Sequence, residues 1–156
     1  MTQADINAMS VVRNTLDKLD ANYKYYSDKN VIDMNLPLRC KLGSYRLIIA
    51  CNNGFFRYVA FLNVNADEKK RDDIAEFFAY VNDGIMFGAV FEFDYSDGKM
   101  SVRMSACYDD GCLNEETVVN CLSYTDRVLE KYGDALLMVL FGMATPKEAF
   151  YKVKNS

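Results

Sequence analysis

The chain contains no histidine and no tryptophan, and only two of its 156 residues are proline. Without histidine it lacks the usual general base near neutral pH, the commonest metal ligand, and the base of every Ser-His or Cys-His nucleophile pair. The longest apolar run, residues 135–141, is far too short to cross a bilayer, and the N-terminal stretch MTQADINAMSVV has no basic segment. These absences predict a cytoplasmic protein with no histidine-based active site and no membrane partner.

Clustered positive charge is scarce as well. The net charge is −4, and the one basic run, residues 69–71, lies between acidic residues. Nucleic-acid binding needs clustered lysine and arginine, so this balance argues against a polyanion as partner. The segment NGFFRYVAF at 53–61 is superficially similar to an RNA-binding strand, but Asn53 stands where a basic residue belongs, and the β-α-β-β-α-β order is missing. We expect no nucleic-acid partner.

Cysteine is present but not clustered. The five cysteines stand at 40, 51, 107, 112 and 121, without C-x-x-C spacing. Cys107 and Cys112 could share a disulfide or a metal, but no further ligands cluster with them, so reduced structural thiols are expected. The segment DYSDG at 94–98 matches a calcium loop poorly, because its twelfth position is Ser105 instead of glutamate. The carboxylates at 107–116 are typical of a turn before a helix. The sequence therefore predicts no cofactor and no metal site.

Hydrophobic residues make up 51% of the chain, which predicts a folded core within one domain of residues 1–156. Apolar residues at helical spacing follow Thr2, which is a candidate N-cap of a first helix. A second helix ends at Gly84, which is expected to be left-handed. Its apolar stripe predicts a core-facing side, formed by Ile74, Phe77, Phe78 and Val81.

Three more helical segments close the chain. Asn114 is a candidate N-cap for a third helix, which Gly133 is expected to interrupt. A short, nearly apolar helix would follow at 134–142. The segment TPKEAF at 145–150 has the threonine, proline and glutamate of a capping box, which predicts a last helix.

The first strands surround an Asn53-Gly54 pair, which is typical of a two-residue hairpin turn because both residues tolerate positive φ. The preceding segment, residues 30–42, has extended character, and Pro37 within it indicates an edge strand. The Asn53-Gly54 turn places Asn52 opposite Phe55 and makes both faces of the hairpin apolar, so we expect a central position in the sheet. The face opposite the helices is a candidate interface with a loop or a second subunit: Ile48, Ala50, Arg57, Val59 and Phe61.

A second hairpin is predicted over residues 91–106, with Asp97-Gly98 as its two-residue turn. That turn pairs Phe93 with Val102 and Glu92 with Arg103, so that apolar and charged partners match. The polar face of this hairpin is a candidate binding surface for a protein partner, formed by Glu92, Asp94, Ser101, Arg103 and Ser105.

The elements follow the order α-β-β-β-α-β-β-α with a C-terminal helical extension, which predicts an α+β domain with a five-stranded antiparallel sheet. This order resembles that of the bacterial YbjN-like domains, described as sensory-transduction regulators, which share the fold of class I type III secretion chaperones. Four segments support the resemblance: FFAYVND at 77–83, the strand-turn-strand at 88–106, LEKYGDALLMVLFG at 129–142, and TPKEAF at 145–150. The resemblance implies a small domain, often dimeric, that binds other proteins and has no catalytic residues.

The leading hypothesis is therefore a non-enzymatic protein-binding module, chaperone-like or regulatory, that forms a homodimer. The alternative is a small-molecule sensor, because 21 tyrosine and phenylalanine residues could line an apolar pocket beneath the sheet. A closed cavity with a few converging polar groups would favour the sensor.

Overall fold

In the computed structural model, a six-stranded antiparallel sheet packs against helices on one face, over the described residues 1–85, 88–108 and 113–156. The sheet order is β1-β2-β3-β4-β6-β5. The strands are β1 Lys24–Tyr26, β2 Val31–Pro37, β3 Ser44–Asn52, β4 Phe55–Leu62, β5 Val90–Phe93 and β6 Met100–Cys107. The helices are α1 Gln3–Lys18, α2 Arg71–Gly84, α3 Glu115–Leu140 and α4 Pro146–Lys154. The predicted α+β class is confirmed, with six strands in place of five because β1 had not been predicted.

Side-chain caps fix where three of the helices begin. Thr2 and Asp5 form a capping box at α1, and Thr145 and Glu148 form another at α4, where Pro146 takes the first helical position. Asn114 accepts a hydrogen bond from the backbone N–H of Thr117 at the start of α3. These oxygens satisfy backbone donors that have no partner inside the helix, so the predicted caps are confirmed.

Helix α2 follows a single 3-10 turn, Glu68–Lys70, and buries its predicted apolar stripe completely or nearly so. The predicted helix end at Gly84 is confirmed, but its predicted left-handed conformation is wrong. It is the last helical residue of α2 and does not have positive φ. The ring of Phe150 on α4 lies about 3.7 Å from the position that a Cβ on Gly84 would take. The glycine therefore lies where α4 packs against the end of α2.

Helix α3 continues without a break through Gly133, which corrects the predicted interruption. Gly133 is buried, and a Cβ there would lie 2.7 Å from the Leu42 side chain and 2.8 Å from the Cys40 sulfur. The missing side chain therefore lets the loop between β2 and β3 lie directly on the helix. The close approach explains the glycine better than a helix end does.

The β3–β4 hairpin is as predicted. Asn53 and Gly54 have φ of 52° and 77°, and the register pairs Asn52 with Phe55, Ala50 with Arg57 and Ile48 with Val59. Both strands lie in the middle of the sheet. Pro37 stands at the end of β2, where the short β1 no longer covers the strand, so this part of β2 is an edge.

The β5–β6 hairpin exists, but its predicted register is wrong. The structure pairs Phe93 with Met100 and Glu92 with Ser101, so each residue of β5 is shifted by two places along β6. The connection is longer than two residues, because the backbone of Asp94 still pairs with that of Lys99 across the turn. A shift of two keeps every side chain on its predicted face, since the side-chain period of a strand is two.

The core lies between the helices and one face of the sheet. The largest fully buried side chains include Tyr45, Phe56 and Tyr58 on the strands and Phe77 and Leu129 on the helices. No helix of the described residues is both long and apolar enough to span a membrane.

Candidate functional site

The candidate site is the sheet face that points away from the helices, called here the open face. Strand residues alternate between the two faces, and those of the open face are half-buried or exposed, apart from Ser101. Nothing among residues 1–85, 88–108 and 113–156 covers it. The open face consists of Lys24, Tyr26, Val31, Asp33, Asn35, Pro37, Ser44, Arg46, Ile48, Ala50, Asn52, Phe55, Arg57, Val59, Phe61, Val90, Glu92, Ser101, Arg103, Ser105 and Cys107.

The middle of the open face is apolar. The five predicted interface residues, Ile48, Ala50, Arg57, Val59 and Phe61, lie side by side on β3 and β4. The four apolar ones are half-buried, and Arg57 is exposed. An apolar strip at the centre of a sheet is ordinarily covered, which makes this strip a candidate docking surface.

The second predicted surface proves to be part of the same face. Strand β6 pairs with β4, so Ser101 lies next to Phe61, Arg103 next to Val59, and Ser105 next to Arg57. Glu92 follows on β5.

Asp94 departs from this arrangement because it belongs to the hairpin turn. Its Oδ1 accepts hydrogen bonds from the backbone N–H of Ser96 at 2.8 Å and from the Ser96 hydroxyl at 2.6 Å. These bonds hold the pKa of Asp94 below its usual range. Its carboxylate stabilises the turn. Asp94 still borders the open face, in a solvent-open cleft of about 560 Å³ that Phe61, Tyr95 and Lys99 also line.

One row of paired residues crosses all six strands and is called here the central row: Lys24, Asp33, Ile48, Val59, Arg103 and Val90. Its two inner positions are aliphatic, and a charged residue flanks each of them. The row therefore combines an apolar centre with an acid on one side and a base on the other.

The two charged flanks of the central row are paired with neighbours on the same face. Arg46 donates to both carboxylate oxygens of Asp33, at 2.9 and 2.6 Å, and this hydrogen bonding lowers the pKa of Asp33. Arg103 donates through Nε to Glu92 at 2.6 Å. Both pairs are partly exposed.

The charge of the open face differs in sign from that of the whole chain. The face carries four cationic side chains (Lys24, Arg46, Arg57 and Arg103) and two anionic ones, Asp33 and Glu92, which gives +2 against −4 for the chain. Among the described residues, Lys24 and Arg57 are the cations of this set without an ion pair, and the Arg57 guanidinium lies 5.9 Å from the ring centre of Phe55.

The helix-facing side of the sheet holds two buried polar clusters that sequence reasoning missed. In one, Tyr45 donates to Asp126 at 2.7 Å and lies 3.2 Å from the Tyr58 hydroxyl. Burial raises the pKa of both tyrosines and of Asp126. The partners are distant in sequence, so no local pattern pointed to them. They join strands β3 and β4 to helix α3.

The second cluster surrounds Asp5, at the N-terminus of α1. Its carboxylate accepts hydrogen bonds from Thr2, Gly54 and Tyr108. The side chain of Asn30, in the left-handed region with φ of 52°, donates to the carbonyls of Asp5 and Cys51. Each group has a partner within the fold, so the cluster is structural.

Two of the described cysteines, Cys51 and Cys121, are buried thiols. Burial raises the pKa of the Cys51 thiol to about 12 and raises that of Cys121 as well, which disfavours the thiolate. Cys40, Cys51, Cys107 and Cys121 are free, and Cys112 lies outside the described residues together with Asp109 and Asp110 of the predicted carboxylate loop. No group of three or more metal-ligating side chains occurs among the residues that the structure describes.

An antiparallel sheet with helices on one face, in this order of elements, is the YbjN-like fold. The crystal structure of YbjN from E. coli, described as a candidate transcription regulator, matches with a TM-score of 0.56 over 85% of this chain and 88% of that chain. The two sequences are 11% identical, so the likeness concerns the fold alone. No protein-family model matches the sequence, and comparison with curated proteins found no relative. The predicted resemblance is thus confirmed at the level of fold.

Proposed function

We propose that this chain is a non-enzymatic, cytoplasmic protein-binding module, regulatory or chaperone-like, that acts as a homodimer and uses the open face as its interface. The observation that carries the proposal is the uncovered strip on β3 and β4, with Ile48, Val59 and Phe61 at its centre. The second face of an antiparallel sheet is commonly polar where it meets water, so an apolar strip there marks an interaction surface. Binding of a protein would remove the second face from water.

The arrangement of polar groups supports binding in preference to catalysis. Four of the six charged side chains of the open face form two ion pairs, and the acids and tyrosines on the helix-facing side are hydrogen-bonded to each other. The cleft that Asp94 borders opens to solvent, so it does not favour a closed small-molecule pocket.

The first experiment measures the mass of the protein in solution. Light scattering after size exclusion should give a dimer for the wild type over a concentration series. The double variant V59E/F61E should be a monomer, because two carboxylates on the strip would be buried without partners in the dimer. Circular dichroism checks that the variant keeps its helices and strands.

The matched control places the same two charges elsewhere. Phe141 and Met143, at the turn between α3 and α4, are 69% and 71% exposed, so F141E/M143E should remain dimeric. A monomeric wild type contradicts the proposal, and so does a control that dissociates while V59E/F61E stays dimeric. Loss of all structure in V59E/F61E would place both residues in the core and contradict it as well.

A further inference from the structure

The charges of the central row match those of a second central row that runs in the opposite direction across the sheet. In a sheet of six strands the middle lies between β3 and β4, which is between Ile48 and Val59. One strand further out, Asp33 stands on one side and Arg103 on the other. A second row turned by half a revolution therefore brings an acid opposite a base at both flanks.

We propose that a second copy of this chain covers the open face, related by a two-fold axis that runs parallel to the strands and passes between β3 and β4. This inference rests on the proposed function and specifies its interface. The half-turn places Ile48 opposite Val59 of the second copy, and Asp33 opposite Arg103 of the second copy. Each contact occurs twice, as in any isologous interface.

The geometry of packed sheets permits these contacts. Facing sheets lie about 10 Å apart with strands inclined by about 30°, so residues near the axis stay opposite each other while the corners diverge. Strands are about 4.8 Å apart, which puts Asp33 and Arg103 each about 7 Å from the axis. Arg103 already binds Glu92, and Asp33 already binds Arg46. The dimer joins these pairs into a network of alternating charge.

The neighbouring rows fit the same operation. Arg46 pairs with Phe61 across β3 and β4, and Ala50 pairs with Arg57. Across the axis, Arg46 therefore lies opposite Phe61 of the second copy, and Arg57 lies opposite Ala50 of the second copy. Neither lies opposite another arginine. A guanidinium over an aromatic ring is attractive. Although the open face has a net charge of +2, these contacts bring no two arginines together.

The size of the open face suits a dimer. The six strands contain 39 residues. At about 3.3 Å per residue and about 4.8 Å between strands, they cover about 600 Å² in projection. Stable interfaces bury about 800 Å² of accessible surface per partner, and side chains make the accessible area larger than its projection.

Single charge reversals test the register. D33R sets the introduced guanidinium against Arg103 of the second copy at both flanks, and R103D sets two carboxylates together, so each variant alone should dissociate with a constant raised about tenfold or more. An equimolar mixture of D33R and R103D should recover the dimer. In that heterodimer one flank has the native Asp33–Arg103 pair and the other has the reversed pair. Native mass spectrometry distinguishes the heterodimer from either homodimer.

Recovery in the mixture can only come from contacts between chains. Within one chain Asp33 and Arg103 are three strands apart, about 14 Å, so neither substitution compensates the other inside a subunit. The matched controls, E76R and K147D, make the same charge changes at exposed positions on α2 and α4 and should leave each homodimer intact.

The outcomes separate this inference from the proposed function. If the wild type is a dimer that V59E/F61E dissociates, but the mixture shows no recovery, the open face is the interface and the register proposed here is wrong. Single variants that remain fully dimeric also contradict it. A wild type that is monomeric throughout overturns both proposals.

Discussion

Asp5 is a charged side chain with no exposed surface, and it joins three distant parts of the chain. One carboxylate oxygen accepts from the backbone N–H of Thr2, and the other accepts from the N–H of Gly54 and the hydroxyl of Tyr108. A buried charge is tolerated only when such donors surround it. The hydrogen bonds from Thr2 and Tyr108 hold the pKa of Asp5 well below its usual range.

This lowered pKa predicts how stability depends on pH. A carboxylate whose pKa is lower in the folded state stabilises the fold above its unfolded pKa, about 4, and this contribution is lost as the pH falls through the folded value. D5N removes the charge, so it should lower the urea midpoint at neutral pH. The difference from wild type should shrink steadily in acid.

Urea titrations at several pH values measure both curves. D28N, which changes an exposed carboxylate in the turn after β1, is the control and should follow the wild type throughout. Parallel curves for D5N and wild type from neutral to acidic pH would contradict the role given to Asp5.

At the scale of elements, the loop between β2 and β3 docks on helix α3 around Gly133. The backbone N–H of Arg39 donates to Glu130 at 3.1 Å, and that of Lys41 donates to Asp134 at 2.8 Å. The side chains of Cys40 and Leu42 fill the space that a Cβ on Gly133 would take. The two hydrogen bonds hold the loop in place, so it cannot move away without losing them.

We therefore expect G133A to destabilise the fold. Alanine gains about 1 kcal/mol over glycine inside a helix, but overpacking a filled site typically costs about 1–3 kcal/mol. The steric cost should prevail, because two separate side chains lie within 3.0 Å of the new methyl group. The free energy of unfolding, from urea denaturation, should fall by about 1 kcal/mol.

The other glycine in a helix provides the control. A methyl group on Gly84 would meet the Phe150 ring at 3.7 Å, which is ordinary contact, so G84A should be neutral or slightly stabilising. Equal stabilities for G133A and G84A would show that the loop yields and that the contact does not restrict the helix.

The two hairpins show what could be predicted from sequence and what could not. In the β3–β4 turn Asn53 and Gly54 both take the positive φ that a two-residue turn requires, so its register followed from local chemistry. In the β5–β6 hairpin, Gly98 has another role, because its carbonyl accepts from the N–H of Ala66 and a Cβ there would lie 2.1 Å from the Ala66 oxygen. That tertiary contact selects the longer turn. Local pairing rules contain no information about it.

Apart from Asp94, which lies in the turn, the residues of the predicted binding surface lie on the face expected of them. Strand alternation survives a shift of two, so Glu92, Ser101, Arg103 and Ser105 lie on the predicted side of β5 and β6. What the sequence could not show is that this side continues the strip on β3 and β4. That depends on β6 lying beside β4, a long-range pairing that no turn or helix signal determines.

At the scale of the whole molecule, the open face contains both of the predicted binding surfaces. The structure merges the apolar strip and the polar hairpin face into one sheet surface with a positive balance on an acidic chain. A second copy and any other protein that docks on this surface would therefore compete. Self-association would then regulate partner binding by occupying the same residues.

The composition of this surface predicts how salt acts on the dimer. Two charge pairs at the flanks, each worth about 0.2–1 kcal/mol when partly exposed, are screened by salt, whereas the aliphatic centre is not. Raising the salt from about 0.05 M to about 0.5 M should therefore raise the dissociation constant by between about twofold and about thirtyfold, without abolishing the dimer. Sedimentation equilibrium measures this directly, with E76R as the control that should show the same slope. A dimer that tightens with salt throughout would show that the flanking charges do not attract each other, which would leave Ile48, Val59 and Phe61 to hold the interface alone.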